Sequence, residues 1–439
     1  MVFIYNLFIS LYKLGIRIAS LWNPKAAEWI KGRKNLFAEL QTAIGPQDQV
    51  IWVHCASAGE FEQGKPVIEA LKQSYPGFKI LVSFFSPSGY KVGKKYSQDD
   101  HITYLPADTP ANAKKFIEIV HPRLVVFVKY EYWFHHLNAA AFHHIPVLLV
   151  SAIFRKDAVF FKSYGKFFRQ ILFLFRHLFV QDEASQNLLK QNGIEHCSVS
   201  GDTRFDRVKK IASQFTELEV IPDFINGSQV IIAGSTWPDD EKILASFMKL
   251  NKAKMIIAPH EITTSHIKSI QELFPGSFTY SSVKGFLSGS IANNTGVWDK
   301  INEQQVADIK KKLASARVLI IDNIGMLSRL YHYATISYIG GGFNSSGIHN
   351  TLEAAVYGKP VIFGPNYQKF REARDLLAVG AGFTVSDSKE LIKKLDHLLD
   401  DPMLLNSSGA AAAAYVNENT GASEKLLRYI QEKRLLTRS

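Results

Sequence analysis

Two α/β domains, each built on a parallel sheet, are the fold that this 439-residue sequence predicts. Three observations point there. The chain is longer than one ordinary domain and fits two of about 200 residues. In both halves, short apolar runs alternate with helical patterns, as expected of parallel strands joined by crossover helices. The residues able to do chemistry follow the ends of those runs, where ligands sit in sheets of this kind. A hydrophobic content of 46% against 21% charged residues is that of a core-forming chain. The two cysteines, Cys55 and Cys197, offer neither a disulfide framework nor a paired-cysteine metal site.

The elements follow in order. Met1–Tyr12 is uncharged and mostly apolar, but Lys13 and Arg17 fall inside what would otherwise be a span, which needs about 20 apolar residues. Neither the basic start nor the small-residue cleavage site of a signal peptide is evident. Residues 1–23 therefore read as an interfacial or marginal anchor helix ending before Pro24. A helix docked on the protein's own core is the alternative. Residues 24–206 form the first domain, with strands at Val50–His54, Ile80–Phe84, Leu124–Val128, Pro146–Val150 and Leu178–Gln181. Helical patterns such as Gln63–Ser74, Asn112–Val120 and Glu183–Asn192 separate them. Strand signals stop over residues 207–227, where Pro222 and Gly227 punctuate a linker. The second domain, 228–422, restarts with strands at Gln229–Ala233, Ala253–Ala258, Val318–Ile321, Ile336–Ile339 and Pro360–Phe363. Within it, the polar stretch Tyr280–Glu303 reads as a long loop or insert. Residues 423–439 form a basic amphipathic helix.

The net charge of +11 calls for an anionic partner: nucleic acid, anionic lipid or a phosphorylated substrate. A nucleic-acid partner is not expected, because no binding motif and no basic stripe tracking a backbone can be found. The 30 Phe, 17 Tyr and 6 Trp cluster with basic residues, which favours lipid. From Phe160 to Arg176, a helical pattern puts Phe160, Tyr164, Phe167 or Phe168, Ile171 and Phe175 on one stripe, with Lys162, Lys166, Arg169 and Arg176 roughly opposite. Such a helix can lie in a membrane interface or simply pack on the sheet.

Four segments carry chemistry. After the first strand, Cys55-Ala56-Ser57-Ala58-Gly59-Glu60 makes a small-residue turn that lets another group approach the backbone. A lone Glu there would be explained by the helix dipole; following Ser-x-Gly at the sheet edge, Glu60 is a candidate base. After the third strand, Lys129-Tyr130-Glu131-Tyr132-Trp133 sets a charged pair among aromatics, either a binding site or a ring-covered ion pair. In the second half, Ala233-Gly234-Ser235-Thr236 has the small hydroxylated character of a phosphate-cradling turn. Finally, Gly340-Gly341-Gly342 leads through Gly347-Ile348-His349-Asn350-Thr351-Leu352-Glu353 into a helix. The glycine spacing is not that of a dinucleotide fingerprint. Instead Glu353, one turn into that helix, can chelate two ribose hydroxyls.

Together these residues resemble the 3-deoxy-D-manno-octulosonic acid (Kdo) transferases of lipopolysaccharide assembly, over nearly the whole chain. The resemblance rests on Trp52-Val53-His54 leading into Ser57-Ala58-Gly59-Glu60, on Glu131 with Trp133, on Gly201 with Arg204-Phe205-Asp206, and on Gly234-Ser235-Thr236. Its most specific part is Gly347 to Glu353, followed by Gly358-Lys359-Pro360 and Phe363-Gly364-Pro365. It implies a GT-B glycosyltransferase fold, two Rossmann-like domains facing across a cleft, with the acceptor in the first and the nucleotide sugar in the second. It implies inverting transfer of Kdo from CMP-Kdo to a phosphorylated lipid A precursor at the cytoplasmic face of the inner membrane, on an anionic surface. Glu60 is then the base. Arg204, Ser235, Thr236, Gly347, His349, Asn350 and Glu353 hold the donor, with Glu353 on the ribose, and Ser57, Gly59, Lys129 and Glu131 meet the acceptor. No carboxylate pair or His/Cys cluster is placed to hold a metal, and no cofactor is expected. A different lipid-sugar transferase or a sugar-nucleotide epimerase of the same fold is the alternative. The chain departs from the pattern at Lys129, where a second acid is usual, and at Ser151-Ala152-Ile153, where Asn-Ala-Arg is usual. It departs again at Pro259-His260-Glu261, which lacks an Arg-His pair, and at Trp237, in place of a frequent His.

Overall fold

The computed structural model describes residues 1–96, 101–287, 291–292, 298–299 and 303–436. It divides into two compact units, Met1–Arg207 with Asn419–Ser439, and Val208–Glu418. Both have the α/β architecture of the GT-B fold.

In the first unit, seven strands form one sheet: β1 (Val50–Cys55), β2 (Lys79–Phe84), β3 (His101–Tyr104), β4 (Leu124–Val128), β5 (Val147–Ala152), β6 (His177–Val180) and β7 (Cys197–Val199). Their order is β3-β2-β1-β4-β5-β6-β7, with every pairing parallel. The order reverses between β1 and β4, so the tips of these two strands flank the natural ligand crevice. Alternation along β1 fills two cores. Val50 and Trp52 pack with Phe116, Phe127 and Leu149 on one face, while Ile51, Val53 and Cys55 pack with Phe61, Ile68 and Leu71 on the other.

The second unit contains β8 (Val230–Thr236), β9 (Lys254–Pro259), β10 (Phe278–Thr279), a short antiparallel pair β11 (Ile291–Ala292) and β12 (Trp298–Asp299), then β13 (Val318–Ile320), β14 (Ile336–Ile339), β15 (Val361–Phe363) and β16 (Gly382–Thr384). Its main sheet runs β10-β13-β9-β8-β14-β15-β16, again parallel, and reverses between β8 and β14.

The ten strands expected from sequence are all present. Among the described residues, sequence reading missed six strands: β3, β7, β10 and β16, which form the edges of the two main sheets, and the β11–β12 pair, all four residues long or fewer. The stretch expected as a linker carries two helices, Thr203–Ser213 and Ile221–Ile225, and from Val208 it belongs to the second unit. Tyr280–Leu287 is a helix rather than loop, and part of the remaining stretch to Glu303 lies outside the described residues. The expected Phe160–Arg176 helix is broken into single turns at Val159–Phe161 and Ser163–Gly165 and a helix at Lys166–Leu172. Its ring stripe, Phe160, Phe167, Ile171 and Phe175, is buried in the first core, so the packing reading holds and the membrane-facing one falls. Tyr164 alone of that stripe is exposed.

The last helix, Ala422–Glu432, returns to the first unit, where Leu426 and Ile430 complete the second core. Asp206 holds its start by accepting from the backbone N–H of Gly421 at 2.6 Å and Ser423 at 2.7 Å. The first helix, Val2–Ala19, is long and apolar enough to cross a membrane, yet only Ile9 in it is buried. Its attachment is polar. Tyr5 donates to the Asp108 carboxylate, and His135 Nε2 donates to Asn6 Oδ1 at 2.6 Å. Asp108, 2% exposed, also accepts from the backbone N–H of His135 and His136, both at 3.0 Å, and from His136 Nδ1 at 2.5 Å. Burial alone would raise its pKa, but these donors outweigh it and hold the carboxyl below its ordinary range.

Two predictions follow from this packing. Asp108→Ala strands four buried donors and should cost about 3–5 kcal/mol, read as a lower urea midpoint, with faster tryptic cleavage at Lys13 and Arg17. Because the folded-state pKa is depressed, Asp108's contribution is present above the unfolded carboxyl value of about 4 and is lost as pH falls through the folded one. At Gly340, a Cβ would lie 2.3 Å from Ser235 O and 2.6 Å from Thr236 Cα, backbone against backbone. Gly340→Ala should therefore destabilise the second unit by roughly 1–3 kcal/mol in the same assay.

Candidate functional site

In the first unit, β1 ends at Cys55 and the chain turns through Ala56 and an extended Ser57 into the helix Ala58–Ser74. The Ser57 hydroxyl donates to the Glu60 carboxylate, fixing that side chain on the first helical turn, half-buried. Beneath it, the Cys55 thiol is fully buried. Burial first, then the charges of Glu60 and Glu131, push its pKa well up, so it is a core thiol rather than a nucleophile.

Glu131, 8% exposed, does not pair with Lys129 as one reading of the sequence had it. It accepts from Trp133 Nε1 at 2.5 Å and meets His54 Nε2 at 3.1 Å. His54 in turn has Nδ1 2.8 Å from Ser83 Oγ, and Trp52 Nε1 donates to that oxygen at 2.7 Å. The His54 ring bridges Ser83 and Glu131, with Nδ1 also 3.1 Å from the Ser83 carbonyl oxygen. A buried relay thus anchors Glu131 from the core. The Lys129 ammonium lies over the Tyr130 ring, 5.2 Å from its centroid. Lys129, just past the end of β4, and Ser151, in neighbouring β5, have φ of 69° and 55°. This left-handed conformation costs a side-chain-bearing residue about 1–2 kcal/mol.

Arg204 opens the helix Thr203–Ser213 and pairs with Asp202 at 2.9 Å. Asp202 also accepts from Gln63 at 3.2 Å, and Thr203 donates to Gln63 O at 2.6 Å, tying this helix to the one that carries Glu60. The Tyr130 phenol is pushed up by burial, with Arg155, Asp202, Arg204 and Glu60 all contributing charge. Glu60, Tyr130, Asp202 and Arg204 therefore form one electrostatic neighbourhood. Arg204, expected on the donor, lies in the first unit.

In the second unit, the strand ends of β8, β9 and β14 carry the remaining residues. Ser235 bulges out of β8 with φ of 54°. Thr236 is buried and donates to Glu241 at 2.9 Å, so its hydroxyl faces the interior and any contact with a ligand must come from its main chain. Asp240 joins the two strand tips, accepting from Trp237 N at 2.9 Å, Gly341 N at 2.9 Å and Tyr338 Oη at 2.6 Å. The loop beyond β14 turns through Gly341 and Gly347, at φ 90° and 84°. His349 Nε2 accepts from Trp237 Nε1 at 3.2 Å and is therefore unprotonated. Burial, and then His260, pull the His349 pKa down to about 4, so it is neutral at physiological pH. The His260 ring stacks on Trp237, with centroids 4.7 Å apart, and on His349 at 4.5 Å. Asn350 donates to Glu353 at 3.0 Å while accepting from Leu352 N at 3.1 Å. Glu353 sits in the first turn of a four-residue helix, Leu352–Ala355, earlier than expected. Its charge adds to burial in raising the pKa of Tyr331 and Tyr357.

Sequence reading had flagged Trp237 and His260 only as departures from a pattern. The stack of Trp237 on His260 and of His260 on His349 joins three separate strand ends, and no local signal announces it. The His54–Glu131 relay was hidden for the same reason.

Residues 31–207 match the family described as "3-Deoxy-D-manno-octulosonic-acid transferase (kdotransferase)". The 3-deoxy-D-manno-octulosonic acid transferase of Aquifex aeolicus is 29% identical over 357 residues, covering 80% of this chain and 86% of the relative. That of Bordetella pertussis is 24% identical over 443 residues, covering 96% and 99%. Among solved structures, UDP-GlcNAc 2-epimerase from Neisseria meningitidis bound to UDP-GlcNAc superposes with a TM-score of 0.59 at 17% identity, covering 88% of this chain and 100% of the other, a likeness of fold. The matched domain spans the Glu60 turn, the Glu131 relay and Arg204, and likeness to Kdo transferases runs along most of the chain, which is a glycosyltransferase.

Proposed function

We propose that the protein transfers Kdo from CMP-Kdo to a phosphorylated glucosamine-disaccharide precursor of lipid A, with inversion and without a metal. The observation that carries this reading is the Glu60 carboxylate held by Ser57 on the turn that follows β1. An inverting displacement needs a base on the acceptor hydroxyl and a stabilised leaving group. The acceptor oxygen attacks the anomeric carbon, its proton passes to Glu60, and the bond to the phosphate breaks as CMP departs with the electron pair.

Ser57 and Gly59 leave space for the acceptor beside Glu60, with Lys129 and Glu131 setting its position. In the second domain, the Ser235 bulge, the backbone of Thr236 and Gly347, and the neutral His349 are suited to the donor phosphate, and Glu353, oriented by Asn350, to its ribose. Arg204 supplies positive charge for the donor phosphate. The acceptor is a lipid, so the enzyme works at the cytoplasmic face of the inner membrane, docked through its first helix.

The test is CMP release from CMP-Kdo, with and without a tetra-acylated acceptor, in EDTA. Wild type should release CMP only with acceptor, and folded Glu60→Gln should lose about 10²–10⁴-fold in kcat. Near-normal turnover by that variant would reduce Glu60 to a helix-start carboxylate. Glu353→Gln should raise the KM for CMP-Kdo about tenfold while changing kcat far less; an unchanged KM would remove Glu353 from the donor site.

A further inference from the structure

The helix Val2–Ala19 turns Phe3, Ile4, Leu7, Phe8, Leu11 and Leu14 outward, between 49% and 77% exposed. At 1.5 Å per residue it is about 27 Å long, close to a hydrocarbon core. Crossing a bilayer would break the contacts of Tyr5, Asn6 and Ile9 with the rest of the domain. While those contacts hold, the helix buries its apolar face against a bilayer by lying in the interface.

Beside it is a groove of about 500 Å³, lined by Ser10, Lys13, Leu14 and Arg17 from this helix and by Trp29, Ile30, Arg33 and Lys34 from the next turn of chain. Lys13 and Arg17 are one helical turn apart and exposed. Arg33 is half-buried and stacked on Trp29, its guanidinium 3.8 Å from the ring centroid. Its Nε, Nη1 and Nη2 donate to the carbonyls of Leu105 at 2.8 Å, Trp29 at 3.0 Å and Phe85 at 2.8 Å. A guanidinium has five N–H donors, so two remain. Among the described residues, none of Lys13, Arg17, Arg33 and Lys34 has a carboxylate partner. Residues 1–34 hold six basic side chains and one acid, Glu28, which pairs with Lys91 at 2.7 Å. Burial draws the Arg33 pKa down only to about 9, so the charge persists at neutral pH. A desolvated cation with spare donors, ringed by three more and adjoining an apolar helix face, is the complement of an anionic group at the surface of an apolar phase.

We infer that this groove binds the headgroup phosphate of an anionic phospholipid in the bilayer on which the first helix lies. This rests on the reading of that helix as a membrane-docking element, and it assigns the docking a site.

The experiment is flotation of the full chain, at about 0.15 M salt, with phosphatidylcholine vesicles and with vesicles also containing phosphatidylglycerol. Wild type should favour the anionic vesicles. Lys13→Gln with Arg17→Gln should erase roughly ten- to thirtyfold of that preference and leave binding to phosphatidylcholine unchanged. Lys25→Gln with Lys31→Gln removes the same charge from residues outside the groove and should cost far less. Equal losses from the two pairs would mean diffuse attraction and overturn the site. So would a wild type indifferent to phosphatidylglycerol, or one that self-associates in solution and ignores both vesicles. A wild type that floats selectively but releases no CMP would refute the transferase reading and leave the groove standing; an active wild type without lipid preference would do the reverse.

Discussion

Covering both faces of a parallel sheet leaves only its strand ends free, and this constraint shapes everything else in the protein. β1 and β8 each begin a sheet and each lie at the point where strand order reverses. With Trp52, Ile51 and their neighbours committed to two cores, no side chain along β1 is available to a ligand until the chain emerges past Cys55. The helices that cover the sheets start at the same ends, so their free N–H groups gather there as well.

Strand ends are also where backbone order is weakest, and the protein stiffens them with buried polar links. Asp240 ties the tip of β8 to the loop beyond β14, and the His54–Glu131 relay ties the end of β1 to the segment beyond β4. Gln63, Asp202, Thr203 and Ser151 make a third link between elements that are distant in sequence. The carboxylates of Asp240, Glu131 and Asp202 each accept from more than one donor, which is what makes buried charges tolerable. The strained backbone of Lys129 and Ser235 is held at these same ends.

The sequence made the architecture legible because buried parallel strands are nearly continuous apolar runs, and the Ser57–Glu60 and Gly347–Glu353 segments because their spacing is local. The short edge strands β3 and β16 have too few residues to stand out. The Phe160–Arg176 stripe had a helical period, yet Gly165 and the single turns before it break the helix, and the rings turn into the core. The Trp237–His260–His349 stack and the Glu131 partners were invisible for another reason: they join strand ends that only the sheet order brings together. Thr236 shows the limit within a motif, since its place in the turn was legible and the inward direction of its hydroxyl was not.

The return of the last helix to the first unit makes the second unit an insertion, with its entry at Val208 and its exit at Glu418. During synthesis the chain therefore completes its second unit before its first. Until residues beyond Asn419 leave the ribosome, Ile68, Phe179 and their neighbours lack the cover of Leu426 and Ile430, and Asp206 lacks the N–H groups it caps. The half that carries the apolar first helix and the Glu60 turn thus matures last, so an unfinished chain already has a closed second unit while its first is still open.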